Sequence, residues 1–329
     1  MTESGIITQS RDTSEAVSTP PGKSHEQADV EGQRLTAWER ASFFLAHASV
    51  AALLRALGIR GLYRFARGFG TIEWLVNFKR RRRFGRALAS LHLSSLSPAL
   101  RRRFTREHFM QTRCDKIFYL VFDCLPAQRA RELFTIGNKG LLEAAVDSGR
   151  GAYVATSHHG SVHIAGLLMA LSGYRIAGVR ERRESALRRY IQDRLDRKYP
   201  DFQRARILFA DSFPREIFRC LREGFLLGSS MDVSRTYHPN QRTEPVTLFG
   251  EQRHFLSGPL RVAYRCNVHA LQAFIVPSRD FRYRLEIVET LFESDRPAGE
   301  DEMVGDAMRR YAANVERFLR TMPHLMSRL

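Results

Sequence analysis

The sequence predicts an α/β fold, a mostly parallel central sheet flanked by helices, preceded by an N-terminal helical, membrane-associated region. Three observations carry this reading. From about residue 131, short apolar runs of strand length alternate with helical stretches, the pattern of a parallel sheet covered by helices. Between residue 34 and about residue 130, apolar positions recur at three- and four-residue spacing, the period of helices. The charge is lopsided: in a chain of 329 residues, 52 Lys and Arg face 35 Asp and Glu, a formal net charge of +17. A surplus this large needs an anionic partner, either nucleic acid, phospholipid head groups or an acidic carrier protein.

Taken in order, residues 1–33 are polar, with Ser, Thr, Gly, Pro and mixed charge. They are expected to form a disordered tail, and they lack the apolar stretch of a secretory signal. The first strongly apolar segment runs from Ala41 to Leu54 between Arg40 and Arg55 and contains His47. A spanning helix needs about 20 apolar residues. The segment therefore fits an interfacial helix better; a short tilted span and an ordinary core helix are the alternatives. Helical patterning continues through residues 62–78, 86–93 and 106–125, and the arginines cluster here, in Lys79-Arg80-Arg81-Arg82-Arg83, Arg101-Arg102-Arg103 and Arg106. One such run would be a solvated helix face. Several, beside an apolar amphipathic segment, point to an anionic membrane surface. Cys114, Cys124, Cys220 and Cys266 have no C-x-x-C spacing and read as reduced thiols, neither a disulfide framework nor a zinc cage.

The α/β core, residues 131–329, opens with a strand at 151–156, a helix at 161–171 and a second strand at 174–179. A charged helix at 183–197, a strand at 206–209, a helix at 213–222 and strands at 225–229, 267–276 and 283–288 follow. No internal repeat is visible. The stretch Thr156-Ser157-His158-His159-Gly160-Ser161-Val162-His163 leaves a buried-type strand, turns through a glycine and enters a helix. In open α/β sheets active groups gather at such strand ends. On the residues alone three readings stand: a general base, a polar junction that happens to hold three histidines, and a metal site. His159 and His163 have i, i+4 spacing, but no Glu follows His159 as in H-E-x-x-H, and no metal is expected.

The stretch from Gly149 to Gly166, GRGAYVATSHHGSVHIAG, resembles the first signature block of the bacterial lipid A biosynthesis acyltransferases, a Gly-rich turn, a strand and then His-x-Gly-x-x-(Asp/Glu). Gly137–Leu142, Gly173-Tyr174 with Gly178-Val179-Arg180, Arg222-Glu223-Gly224 through Met231-Asp232, and Phe249-Gly250 with Ser257-Gly258-Pro259 resemble its later blocks in order. The resemblance covers about residues 34–320. It implies transfer of a fatty acyl group from an acyl-carrier protein or acyl-CoA thioester to a hydroxyl or amine of a lipid or glycolipid acceptor. The place it implies is the cytoplasmic face of the inner membrane, with no cofactor. It makes His158 the base, with Gly160 a candidate for oxyanion-stabilising N–H groups. Arg180 would lie near the acceptor's anionic group, and Asp232 is a further site candidate.

Two departures matter, one being that Met322–Leu329 does not resemble the family's Trp-rich, basic ending. The family pair is His-x4-(Asp/Glu), and here His163 stands at the carboxylate position. His163 is expected within hydrogen-bonding reach of His158, setting its tautomer. Three outcomes follow: an enzyme suited to a more nucleophilic acceptor such as an amine, a site into which another carboxylate such as Asp232 reaches, or a catalytically impaired protein that binds lipid or carrier. A nucleic-acid-binding protein is the alternative from another class. The charge permits it, but no recognition module is present, and nucleic acid is not the expected partner.

Overall fold

The computed structural model describes residues 35–91, 96–180, 186–209, 214–232, 242–295 and 299–326. The polar tail 1–33 and the start expected for the charged helix at 183 lie outside the described residues.

Helix α1, Ala37–Val76, begins at a capping box: the Thr36 side chain accepts from the Glu39 N–H and the Glu39 carboxylate accepts from Thr36, which satisfies two donors left open by helix geometry. It is broken at Gly58, whose φ of 65° and ψ of −179° are non-helical and open in practice only to glycine. Asn77 then starts α2, Phe78–Ser90, by accepting from the Arg80 N–H, and Ser97 caps α3, Pro98–Leu120. A 3₁₀ turn at Phe122–Cys124 and the short α4, Ala127–Arg131, lead into the sheet.

The strands are β1 (Phe134–Gly137), β2 (Ala152–Thr156), β3 (Ile176–Arg180), β4 (Arg206–Phe209), β5 (Leu226–Ser230), β6 (Thr243–Leu248), β7 (Glu251–Leu256), β8 (His269–Pro277) and β9 (Tyr283–Phe292). The helices among and after them are α5 (Lys139–Asp147), α6 (Val162–Leu171), α7 (Ala186–Lys198), α8 (Pro214–Arg222), α9 (Gly258–Arg265) and α10 (Glu300–Thr321). Seven strands form one sheet in the order β1-β9-β8-β2-β5-β3-β4. Five run parallel, from β8 to β4; β9 pairs antiparallel with β8, and β1 runs parallel to β9. The expected mostly parallel sheet is therefore present, with two reversed strands at one edge.

Both faces of the sheet are covered, and side-chain alternation divides them. Ala152 and Val154 of β2, with Leu271, Ala273 and Ile275 of β8, pack with α1, α3, α6 and α7. Tyr153 and Ala155, with Ala270 and Phe274, pack with α2, α8, α9 and α10. A strand buried on both faces reads as a continuous apolar run, which is why Ala152-Tyr153-Val154-Ala155 is legible in the sequence. The N-terminal helices share this core: Phe118 of α3 lies 5.1 Å from Phe281 and 5.3 Å from Tyr283, ring to ring.

Several elements carry no expectation from the sequence: β1, α5, α9, the hairpin β6–β7 and α10. The hairpin β6–β7 turns through Phe249 and Gly250, both at positive φ, so the Phe-Gly block is a tight turn. Helix α10 buries Val304, Met308, Tyr311, Val315 and Leu319 along one stripe. Arg261 of α9 joins the two, meeting Glu244 of β6 at 2.6 Å and Asp301 of α10 at 2.6 Å.

Candidate active site

Strand register builds the site. In the parallel pair β2–β5, Thr156 is the partner of Ser230, and the ladder runs one step further, the Met231 N–H donating to the Thr156 carbonyl at 3.2 Å. Two residues beyond each strand stand His158 and Asp232, side by side at the carboxyl ends of the strands. The Asp232 carboxylate accepts from the His158 backbone N–H at 2.8 and 3.0 Å and meets the ring at Nδ1, 2.8 Å from Oδ1. A carboxylate only accepts, so this contact puts a proton on Nδ1, and in the neutral ring Nε2 is then the basic nitrogen. The side chains are 24% and 11% exposed, so the pair is shielded from water yet open to a reactant.

The loop that presents His158 is held from behind. Gly160 has φ +65°, and a Cβ there would come 2.1 Å from the Ile275 carbonyl oxygen, so no other residue fits. Its N–H donates to the Leu325 carbonyl at 2.9 Å. This corrects the expectation that Gly160 offers a free N–H to an oxyanion: that donor is occupied by the C-terminal turn. The first intrahelical bonds of α6 run from Ile164 and Ala165 to the Ser161 carbonyl, so the Val162 N–H lies in the open first turn, beyond intrahelical reach.

His163 is the second residue of α6 and is exposed. Its ring stands edge-on to Tyr119 of α3, 5.0 Å between centroids at 88°. The position that sets the His158 tautomer is filled by Asp232 rather than by His163, because strand register brings Asp232 to Nδ1 while the start of α6 turns position 163 towards α3. Arg180 closes β3 at the same sheet edge, its backbone opposite Phe209; its side chain lies outside the described residues. His159 is buried, its ring edge-on to Phe274, and burial pushes it down to about 4, so it stays neutral.

Sequence reasoning missed the supports. The Tyr311 hydroxyl donates to the Thr156 carbonyl at 2.7 Å. The turn Pro323–Leu325 brings its carbonyls to Gly160 and, through His324, to His108 Nδ1 at 3.0 Å. Asp115 of α3 accepts from Tyr283 at 3.0 Å and Gln111 at 2.8 Å; burial pushes its carboxyl up to about 6, the neighbouring Ser161 hydroxyl partly countering it. These residues lie far from the histidine motif in sequence, and no local signal ties them to it.

The resemblance implied a base at His158 with its partner at position 163; His158 stands ahead of the Gly-bent helix entry as implied, but the carboxylate at its ring is that of Asp232. Residues 33–324 match the family model of the bacterial lipid A biosynthesis acyltransferases. The chain belongs to this family. No curated protein matches it. In this lipid A acyltransferase-family chain the match spans both the N-terminal helices and the α/β core, in line with the single packed body described above.

Proposed function

We propose that the protein moves a fatty acyl group from an acyl thioester, carried by acyl-carrier protein or CoA, to a hydroxyl or amine of a lipid or glycolipid acceptor at the cytoplasmic face of the inner membrane. The observation that carries this reading is the His158–Asp232 pair. Nε2 of His158 takes the proton of the acceptor as its oxygen or nitrogen attacks the thioester carbonyl. Asp232 keeps the reactive tautomer and stabilises the imidazolium that forms. The tetrahedral intermediate collapses, the C–S bond breaks, and the leaving thiolate recovers the proton from His158. The open first turn of α6, at Val162, supplies N–H donors for the oxyanion. Arg180 is assigned to the anionic part of the acceptor.

The exposed face of α1 supports a membrane location. Trp38, Phe44, Leu45 and Leu57 before the Gly58 break, and Phe65, Phe69, Ile72, Leu75 and Val76 after it, are exposed, as is Phe78 of α2. Phe65, Phe69, Ile72 and Val76 fall on one helix stripe. Exposed Arg64, Lys79, Arg82, Arg83 and Arg86 adjoin them. By length and composition α1 could cross a membrane. Yet its first half is tied to the protein body, His47 meeting Asp123 at 2.9 Å and Arg194 of α7 meeting the same carboxylate at 2.7 Å. Drawing the helix into a bilayer would take His47 away from the buried Asp123 carboxylate, which loses a hydrogen-bond partner at a cost of about 1–3 kcal/mol. We therefore assign α1 to the interface. The test is acylation by the purified protein: a total lipid extract, with acyl-carrier protein and acyl-CoA supplied in separate reactions, is followed by mass spectrometry. New acyl-lipid dependent on one donor supports the reading; unchanged lipid with both donors rejects it.

A further inference from the structure

We propose that His47, Asp123 and Cys124 form a binding site for a zinc-type divalent cation that fastens α1 to the α/β body. The three residues come from α1 and from the 3₁₀ turn between α3 and α4. Their donor atoms converge: His47 Nε2 is 2.9 Å from Asp123 Oδ1, and Cys124 Sγ is 3.6 Å from His47 Nε2 and 3.9 Å from Asp123 Oδ1. Zinc takes nitrogen at about 2.0–2.1 Å, carboxylate oxygen at about 2.0–2.2 Å and thiolate sulfur at about 2.3 Å, with tetrahedral angles, so its ligand atoms stand roughly 3.3–3.6 Å apart. The sulfur–nitrogen edge already has that length. The other two edges need shifts of only about 0.4 Å, within side-chain rotation.

The surroundings fit the same chemistry. Arg194 takes the other carboxylate oxygen, Nε at 2.9 Å and Nη2 at 2.7 Å from Oδ2, which leaves Oδ1 facing the imidazole and the thiol. A carboxylate held in this way by an outer partner is a well-oriented ligand. The His47 and Asp123 side chains are 7% and 10% exposed, so water competes weakly. An ion pair alone would need His47, Asp123 and Arg194; the sulfur adds the soft third donor that favours zinc over magnesium or calcium. Three protein ligands leave one tetrahedral position for water. The C-x-x-C spacing sought in sequence could not reveal this site, because two ligands are adjacent and the third lies on α1, far upstream.

The experiment uses the full chain in detergent, stripped with a chelator and given one equivalent of zinc, then of cobalt. Cys124→Ser is the deciding variant, since it leaves the His47–Asp123–Arg194 pairing in place. The expected result is one bound metal per chain, a higher thermal midpoint with zinc and a thiolate-to-cobalt charge-transfer band. Cys124→Ser should lose the band and at least about tenfold in affinity, and His47→Gln should lose binding as well. If the native chain retains no metal at equimolar zinc, or Cys124→Ser keeps the same affinity and band, the three residues are an ion pair with a bystander thiol and the site is refuted. Should His47→Gln fail to fold, the Cys124→Ser comparison decides alone.

Discussion

His158 and Asp232 are neighbours because each follows a parallel strand by two residues and the strands are in register. Asp232→Asn keeps the shape but offers an amide where a carboxylate was. By analogy with a triad that loses its orienting anion, kcat should fall about 10³- to 10⁴-fold with the thermal midpoint nearly unchanged. His163→Asp, in contrast, should change the rate less than about tenfold on hydroxyl acceptors, since the orienting anion is already present. The two variants assayed side by side separate the roles: a larger loss at 163 than at 232 would move the orienting role back to position 163. The histidine itself was legible, because a buried-type strand, a Gly turn and a helix start frame it. Its partner was legible only as a candidate. Which of β5 and the start of α6 reaches Nδ1 depends on strand register and helix direction, and no local pattern in the chain states either.

At the scale of elements, period decided what could be read. Strand β2 and helix α6 are near-continuous apolar runs and were placed within a residue or two. The hairpin β6–β7 escaped: Pro245 interrupts the first strand, and its turn is Phe-Gly rather than Asn-Gly. Phe249 accepts the strained position because its ring is buried, its N–H donates to Glu316 at 2.7 Å and Arg320 lies over the ring. The sequence places the interfacial segment at Ala41–Leu54, whereas the exposed apolar residues continue past the Gly58 break to Phe78. Phe69→Glu with Ile72→Glu should therefore weaken binding to vesicles of mixed neutral and anionic lipid by at least about tenfold. That is the expected effect of turning buried apolar area into charge. High salt should weaken the native chain further through its basic helices, whose exposed charges are screened over about 8 Å at physiological salt. Native-level vesicle binding by the double variant would place the contact elsewhere.

Buried His108, His159 and Asp115 give the whole molecule a titration signature. Burial holds His108 and His159 down to about 4. Between pH 6.5 and 4 the unfolded chain gains protons that the folded chain refuses, so these two make stability fall on acidification. Asp115, pushed up to about 6, acts oppositely: its contribution is present below the unfolded value of 3.8 and is lost as pH rises through 6. Asp115→Asn keeps an acceptor for Tyr283 and should stabilise the fold at pH 7.5 by up to ~3 kcal/mol. The gain should vanish near pH 4, as denaturant unfolding at the two pH values would show; a loss at pH 7.5 would mean that the ionised carboxylate is needed there. The central claim is that this α/β body acts as an acyltransferase through Nε2 of His158. Single-turnover transfer from a radiolabelled acyl thioester to lipid, compared between native chain and His158→Ala, tests it most directly. Labelled lipid is expected from the native chain and none above background from the variant, with equal thermal midpoints; native-rate transfer by His158→Ala would remove His158 from the role of base.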